Sequence, residues 1–528
     1  MMPAAVRRPD TPGDGSTTTS RVSQVLSWIL LVLLWALLIE VLFEAWTQIQ
    51  LADVHVNAEG EAVPALPEWP KNLKNGLYLA IAALTVTKVA LERRWREFTT
   101  AADLAIVVLA GMLVLVGLVG GSPIPLIGEA VFVYLRGALA FYAWRALDPP
   151  WRRVRPLLYV LGGVVVLNAV IALIQMAVGA QAFSWFGWVD MTWANIFRVQ
   201  GLFDHPNHLG HVTALALLGL LSWFVTRPAG TPVGRRWWLL FGLLALSLSA
   251  TQSRESAIGF LAGALLIWLL RRGHGRTVVA AVLVVGLFVA VQIALRPKNR
   301  EELQRRLVGV FQAFMMGSGE EPAGFCVKGN EGCTEDRPQI EQREIRILFM
   351  QQGVKLWAKE PVFGYGVGQF GGIVAFRHDP QWYQDPRFGP GGFNLYGFTD
   401  KQVDSFWLHL LVETGLAGSI AYLVWLAFLA WPLLSGAGRS GLPGWPLLRR
   451  IRGPTPPGTE GSPFAYWALS SLLLAVLIAF LSGSLEDPLF PPLLFTILGL
   501  AWVDRRRPLL GRRTAETVPA PATAGEES

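Results

Sequence analysis

Two arginines lie in polar segments where their guanidinium groups could bind an anion. Arg198 lies in FRVQGLFDHPNHLGH (197–211), and Arg254 lies in SLSATQSRESAIGF (247–260). Each adjoins an apolar stretch, where a lone arginine often extends toward water. Glycine, serine and asparagine flank these two, rather than aliphatic anchors. A guanidinium stays charged and binds phosphate oxygens in pairs, so we predict a phosphate-binding role for both.

The segment after the first arginine carries three histidines. They are His205, His208 and His211, beside Asp204 and Asn207. Histidine is a common metal ligand, but a proline interrupts the segment and no further acidic ligand is indicated. We therefore predict no metal site. Asp204 or Asn207 is expected to cap the next helix, and Asn207 and His208 are candidate substrate-binding residues.

Ionisable residues also fall inside apolar stretches. Arg136 lies near the middle of one stretch, with Glu129 seven residues earlier, and Glu413 lies inside DSFWLHLLVETGLAG (404–418). Charges at such depth pair with one another or line a polar cavity. An Arg136–Glu129 ion pair and a role facing a polar lumen both remain open. Arg136 and Glu413 are further candidates for substrate binding.

The elements that position these residues must be membrane helices. Of the 528 residues, 52% are hydrophobic and 16% are charged, against roughly 25% charged in soluble domains. Apolar runs of about 20 residues recur, which is the length of a membrane-spanning helix. The net charge of +7 comes from arginines between these runs and indicates topology, not nucleic-acid binding. The composition excludes an ordinary soluble enzyme.

We predict an all-α polytopic bundle of about twelve transmembrane helices. The expected spans are 25–46, 75–92, 102–120, 124–146, 156–180, 206–226, 237–252, 256–271, 277–295, 403–433, 464–484 and 488–503. The predicted organisation is a disordered cytoplasmic tail (1–22), helices one to nine (23–295), a large extracytoplasmic loop (296–402), helices ten to twelve (403–504) and a second disordered tail (505–528).

The distribution of Lys and Arg predicts the orientation. Alternate loops are rich in these residues, at positions 88–96, 145–155, 227–236, 271–276 and 439–452. Because cytoplasmic loops carry the excess of positive charge, both termini should be cytoplasmic. The protein should therefore lie in a bacterial cytoplasmic membrane, with the large loop periplasmic or extracellular. Cys326 and Cys333 lie in that loop, and an oxidising compartment favours a disulfide between them.

Four segments together resemble the family of O-antigen ligases and O-antigen polymerases. They are RVQGLFDHPNHLG (198–210), SRESAIGF (253–260), KEPVFGYGVGQF (359–370) and DSFWLHLLVETGLAG (404–418). The family's last motif begins with His-Asn, nine positions before its Glu. Counting back from Glu413 leads to Asp404, with Ser405 in place of the usual Asn. The resemblance covers roughly residues 198–420.

The resemblance implies a metal-independent glycosyltransferase without a cofactor. Its donor would be a glycan on undecaprenyl diphosphate, and its acceptor a hydroxyl of lipid A core or of a growing polysaccharide. Arg198 and Arg254 would stabilise the departing diphosphate, and Asp404 would be the base or bind the acceptor hydroxyl. The alternatives are a transporter or flippase of lipid-linked glycans, and a non-catalytic homologue.

Overall fold

The computed structural model describes most of the helical part of the chain. The described residues are 15–56, 62–65, 67, 69–227, 231–295, 326–327, 339–340, 345–389, 393, 402–436, 461–506 and 509. Cys333 lies outside them. Cys326 opens a two-residue strand, but its side chain is outside the described atoms, so the disulfide stays a prediction.

The described chain is overwhelmingly helical. The helices are α1 Gly15–Gln50, α2 Trp69–Leu91, α3 Ala101–Val119, α4 Ile124–Leu147, α5 Trp151–Val178, α6 Ala180–Trp185, α7 Thr192–Asn195, α8 Pro206–Val225, α9 Arg235–Thr251, α10 Arg254–Leu270, α11 Gly275–Leu295, α12 Ile345–Trp357, α13 Ile373–His378, α14 Phe406–Gly436, α15 Pro463–Ile478 and α16 Phe490–Arg506. Short 3₁₀ helices lie at Trp95–Phe98, Arg272–His274, Trp382–Gln384 and Pro386–Phe388.

The strands are short and lie in two separate pairs. Strands β1 Asp53–Val56 and β2 Ala62–Ala65 pair antiparallel between α1 and α2. Strands β3 Cys326–Val327 and β4 Gln339–Ile340 pair parallel before α12. Both pairs lie in connections between helices.

A helix lies at each of the twelve predicted spans, and seven helices are long and apolar enough to cross a membrane. These seven are Arg21–Gln50, Ala101–Val119, Ile124–Leu147, Trp151–Val178, Pro206–Val225, Gly275–Ala294 and Phe406–Leu434. Aliphatic side chains such as Val107 and Leu283 are about two-thirds exposed, as lipid-facing residues would be. The chain is a polytopic helical membrane protein, and the count of twelve spans remains a prediction. Helix α1 begins at Gly15, inside the predicted N-terminal tail.

Small residues allow α4 and α16 to pack closely along their length. A Cβ at Gly137 would lie 2.5 Å from the ring of Phe495, and one at Gly499 would lie 2.8 Å from the Cβ of Trp144. Small residues serve this purpose in membrane helix pairs because lipid provides no hydrophobic drive for association. This contact places the start of α16 against α4.

A buried ion pair closes the end of the bundle that carries the Arg-rich loops. The Nη2 atom of Arg145 donates to Asp103 Oδ2 over 3.1 Å and to the Glu97 carbonyl over 2.6 Å. The guanidinium also lies 4.8 Å from the ring of Phe98 and 4.7 Å from that of Trp502. This single side chain therefore joins α3, α4 and α16.

Loss of the Arg145–Asp103 ion pair should lower the stability of the protein without changing contacts at the other end of the helical bundle. Arg145→Ala leaves a buried carboxylate without its cation, which typically costs about 3–5 kcal/mol. We expect a lower unfolding temperature in detergent, measured by intrinsic tryptophan fluorescence. Arg155→Ala, an exposed arginine that contacts Tyr159, is the control. Equal unfolding temperatures for both variants would contradict the structural role of Arg145.

Candidate functional site

The two arginine segments lie side by side at the opposite end of the bundle. Arg198 Nε donates to the carbonyl of Thr251 over 2.9 Å. The side chain of Gln252 donates to the carbonyl of Phe197 over 3.0 Å. Arg254 follows at once as the exposed first residue of α10. Segments more than 50 residues apart along the chain are thus joined where α9 ends and α10 begins.

The guanidinium of Arg198 is held in a defined position. Its Nη2 atom donates to Asn207 Oδ1 over 2.6 Å, and its Cζ lies 5.2 Å from the ring centre of Trp193. The side chain is half-buried, and Asn207 is buried. An anchored guanidinium loses little freedom when it binds an anion, which favours affinity.

The cap of α8 differs from the prediction. Neither Asp204 nor Asn207 caps the helix; His205 Nδ1 accepts from the backbone N–H of Asn207 over 3.0 Å. Burial, with the nearby charges of His208 and Arg198, lowers the pKa of His205 to about 3. The neutral ring can accept this hydrogen bond. The side chain of Asn207 is left to hold Arg198.

His208 lies between two carboxylates. Its Nδ1 is 2.6 Å from Asp204 Oδ1, and its Nε2 contacts Asp487 Oδ2. Both partners are acceptors, so the doubly protonated ring satisfies both contacts. His211, one turn further on, lies 3.0 Å from Glu255 Oε1. The sequence indicates no acidic partner for these histidines, and the structure corrects that.

Glu486, the residue before Asp487, pairs with another histidine, His409. His409 Nδ1 lies 2.8 Å from Glu486 Oε1, and His409 Nε2 lies 2.5 Å from the carbonyl of Val403. Both residues are buried. Sequence reasoning missed Glu486 and Asp487. The only signal for them was two adjacent acidic residues in SGSLEDPLF (482–490), between two predicted spans.

Asp404 lies next to this buried network but is much more exposed. Its Oδ2 accepts from Arg346 Nε over 2.7 Å, and its side chain is 45% exposed. The neighbouring carbonyl of Val403 is the one that contacts His409. Asp404 is therefore a water-accessible carboxylate whose backbone is tied to the buried histidine.

Glu413, a predicted substrate-binding residue, holds in place the glycine-rich loop that contains Gly364, Gly366 and Gly368. Its Oε2 accepts from the hydroxyl of Tyr134 over 2.6 Å and from the N–H of Gly368 over 2.8 Å. Its Oε1 accepts from the N–H of Phe370 over 2.9 Å, and the residue is only 1% exposed. Three protein donors thus occupy the two carboxylate oxygens of Glu413, and the burial of the residue limits access by a substrate hydroxyl.

Glycine is required where this loop crosses α14. Gly364 has φ of +64°, and a Cβ there would lie 2.4 Å from the carbonyl oxygen of Val412. Gly415 interrupts the helical geometry of α14 at φ of +59°, where a Cβ would lie 2.4 Å from Val362. Both a positive φ and so close an approach exclude a side chain. These two glycines therefore allow the loop to pack directly against α14.

Of the two alternatives for Arg136, the ion pair with Glu129 is not formed. Glu129 Oε2 lies 2.7 Å from His378, and its Oε1 accepts from Arg377. Arg136 is 6% exposed and donates to the backbone carbonyl of Glu486. Arg136 is thus held by the protein backbone, and its role in substrate binding stays a prediction.

These contacts form one connected site at one end of the bundle. They involve the end of α9, the starts of α8, α10 and α14, and the segment between α15 and α16. Within the described residues, no group of three or more His, Cys, Asp or Glu side chains is arranged to hold a metal ion. The site consists of the anchored Arg198, the exposed Arg254, paired histidines, and the exposed carboxylates of Asp204 and Asp404.

The fold and site define a polytopic helical membrane protein with arginine, histidine and acidic side chains gathered at one end of the bundle. Residues 239–423 match the family model of the O-antigen ligases, which confirms the resemblance drawn from the motifs. The match includes Arg254, Asp404 and Glu413, while Arg198 and Asp487 lie outside it. No curated protein matches the chain.

Proposed function

We propose that the protein transfers a glycan from undecaprenyl diphosphate to an acceptor hydroxyl, as a metal-independent O-antigen ligase-like enzyme. The acceptor would be lipid A core or a growing polysaccharide. The observation that carries this proposal is the convergence of the motif segments, which brings an anchored guanidinium into one network with an exposed carboxylate. Glycosyl transfer from a lipid diphosphate needs both groups.

In the proposed reaction, the acceptor oxygen attacks the anomeric carbon of the donor sugar. A bond forms between these atoms as the bond from the anomeric carbon to the diphosphate oxygen breaks, and the configuration inverts. The electron pair leaves with undecaprenyl diphosphate, whose charge Arg198 and Arg254 stabilise. The proton of the acceptor hydroxyl passes to Asp404. No metal or cofactor enters this scheme.

The arrangement of the histidines supports Asp404 as the base. Both ring nitrogens of His208 contact carboxylates, and both of His409 contact oxygen acceptors. A histidine with both nitrogens so engaged has no lone pair for a substrate proton. Asp404 is exposed and lies in the position of the family's His.

The proposed site faces away from the cytoplasm in the bacterial cytoplasmic membrane. This orientation rests on the Arg-rich loops, which adjoin the opposite ends of the same helices. It places both termini in the cytoplasm and residues 296–402 on the outer side. Arg198 and Arg254 would then lie at the depth of a lipid diphosphate in the outer leaflet.

The distribution of buried charge favours an enzyme over a transporter or flippase. On α4, Arg136 belongs to the polar network of the site, and Arg145 belongs to the ion pair at the other end. About 13 Å of helix separates them, and Gly137–Trp144 between them is apolar apart from Tyr142. A transporter would be expected to line this interval with charges.

Reconstitution with a purified lipid-linked oligosaccharide tests the proposal. The protein in liposomes should release undecaprenyl diphosphate and join the glycan to an added acceptor, with EDTA present. A longer glycan would identify a polymerase, and a modified lipid A core a ligase. Movement of intact donor between leaflets, with no new glycosidic bond, would instead establish the transporter.

A further inference from the structure

Two neighbouring acidic residues touch four separate parts of the molecule. Glu486 and Asp487 lie between α15 and α16, outside the segment that matches the family model. Glu486 is 3% exposed, and Asp487 is largely buried. We refer to these two residues as the acidic pair.

Glu486 connects the start of α14 with the large loop and with α4. One carboxylate oxygen lies 2.8 Å from His409 Nδ1, and the other accepts from the N–H of Ile373 over 3.2 Å. The backbone carbonyl accepts from Arg136. Because the other nitrogen of His409 contacts the carbonyl of Val403, Glu486 fixes the backbone next to Asp404.

Asp487 connects the same segment with the start of α8. One oxygen contacts His208 Nε2, and the other accepts from the N–H of Leu489 over 2.7 Å. Burial would raise the pKa of the Asp487 carboxyl, but the charge and hydrogen bond of His208 hold that pKa well below its usual range. His208 directly follows Asn207, which holds the guanidinium of Arg198.

We propose that the acidic pair sets the spacing between the base Asp404 and the diphosphate-binding Arg198. This inference rests on the proposed function. Glu486 acts on the base through His409 and Val403, while Asp487 acts on the arginine through His208 and Asn207. The two are positioning residues, because neither needs to touch the substrate.

The physical reason is the geometry of a direct displacement. The acceptor oxygen and the departing diphosphate lie on opposite sides of the anomeric carbon, so base and arginine must be a fixed distance apart. A displacement of about 1 Å in such an arrangement can cost roughly 100-fold in rate. Adjacent residues of one buried turn provide a stiff connection between α8 and α14.

Steady-state transfer by the full-length protein in liposomes tests the inference. Asp487→Asn and Glu486→Gln should each lower kcat by at least about 10-fold, with KM for the donor changed less than about 3-fold. Asp487→Glu should recover part of the loss. The double variant Asp487→Asn with His208→Gln should be little worse than the more impaired single variant, because residues acting through one contact are not additive.

Asp504→Asn is the matched control. Asp504 is also a buried carboxylate of the α16 region that accepts a backbone N–H, from Leu509 over 2.6 Å, but it lies at the other end of the helix. It should alter the unfolding temperature without altering kcat. If Asp487→Asn does not insert, His208→Gln tests the same contact from its other partner.

The outcomes separate the inference from the proposed function. Active wild-type protein with undiminished kcat in both acidic-pair variants would overturn the positioning role and leave the transferase intact. Additive losses in the double variant would also overturn it, since Asp487 would then act independently of His208. Wild-type protein that forms no glycosidic bond would overturn both.

Discussion

Replacement of Arg198 by Ala is expected to reduce glycan transfer by about 100-fold or more while the protein still inserts and folds. Loss of one preorganised donor to a developing charge typically costs roughly 10²–10³ in kcat. The guanidinium is fixed by Thr251 and Asn207, so it is in place before the leaving group becomes charged. The measurement is undecaprenyl diphosphate released per folded protein in liposomes.

Arg198→Lys should restore only part of the activity, because an ammonium lacks the planar fork. Arg227→Ala is the matched control: Arg227 also stacks on a tryptophan, with its Cζ 5.1 Å from the ring centre of Trp223, but it follows the opposite end of α8. Wild-type activity in Arg198→Ala, or an equal loss in Arg227→Ala, would remove Arg198 from the diphosphate site.

Hydropathy predicted where the helices lie because a membrane span requires a continuous apolar run. Hydropathy did not predict where each span ends, because the ends depend on neighbouring helices. For the same reason it did not predict whether a 17-residue helix such as α9 crosses the membrane. The interruption of α14 at Gly415 likewise depends on the loop residue Val362, which is distant in sequence.

Arg198 and Arg254 could be singled out from the sequence because glycine, serine and asparagine flank them beside apolar runs. The side chains that pair with the ionisable residues were not predictable, because pairing between helices depends on tertiary structure. Glu129 lies on the same helix face as Arg136, two turns away, yet it pairs with residues of α13. The acidic pair was missed because short outer loops commonly carry acidic residues, and only the structure shows that these two are buried.

Replacement of Asp404 by Asn is expected to have the largest effect of any substitution, a loss of roughly 1,000-fold in kcat. A positioned base contributes typically 10²–10⁴-fold. Asn keeps the size of the side chain but cannot accept a proton, so binding of the donor should change little. The measurement is kcat and KM for the donor in the liposome assay.

Asp385→Asn is the control for loss of an ion pair, since Asp385 accepts from Arg387 Nη2 over 2.6 Å much as Asp404 accepts from Arg346. It should retain near-normal turnover. His208→Gln and His409→Gln should be far less damaging than Asp404→Asn, because their nitrogens are already engaged and they only position other groups.

Asp404→His provides the sharpest test, because it restores the residue that the family motif has at this position. Some activity should return, since an imidazole can serve as the base. Histidine ordinarily titrates near pH 6.5 and is a base only when neutral. The acid limb of the rate profile should therefore move to higher pH than in the wild-type protein. Full activity in Asp404→Asn, with His208→Gln or His409→Gln inactive, would place the base on a histidine instead.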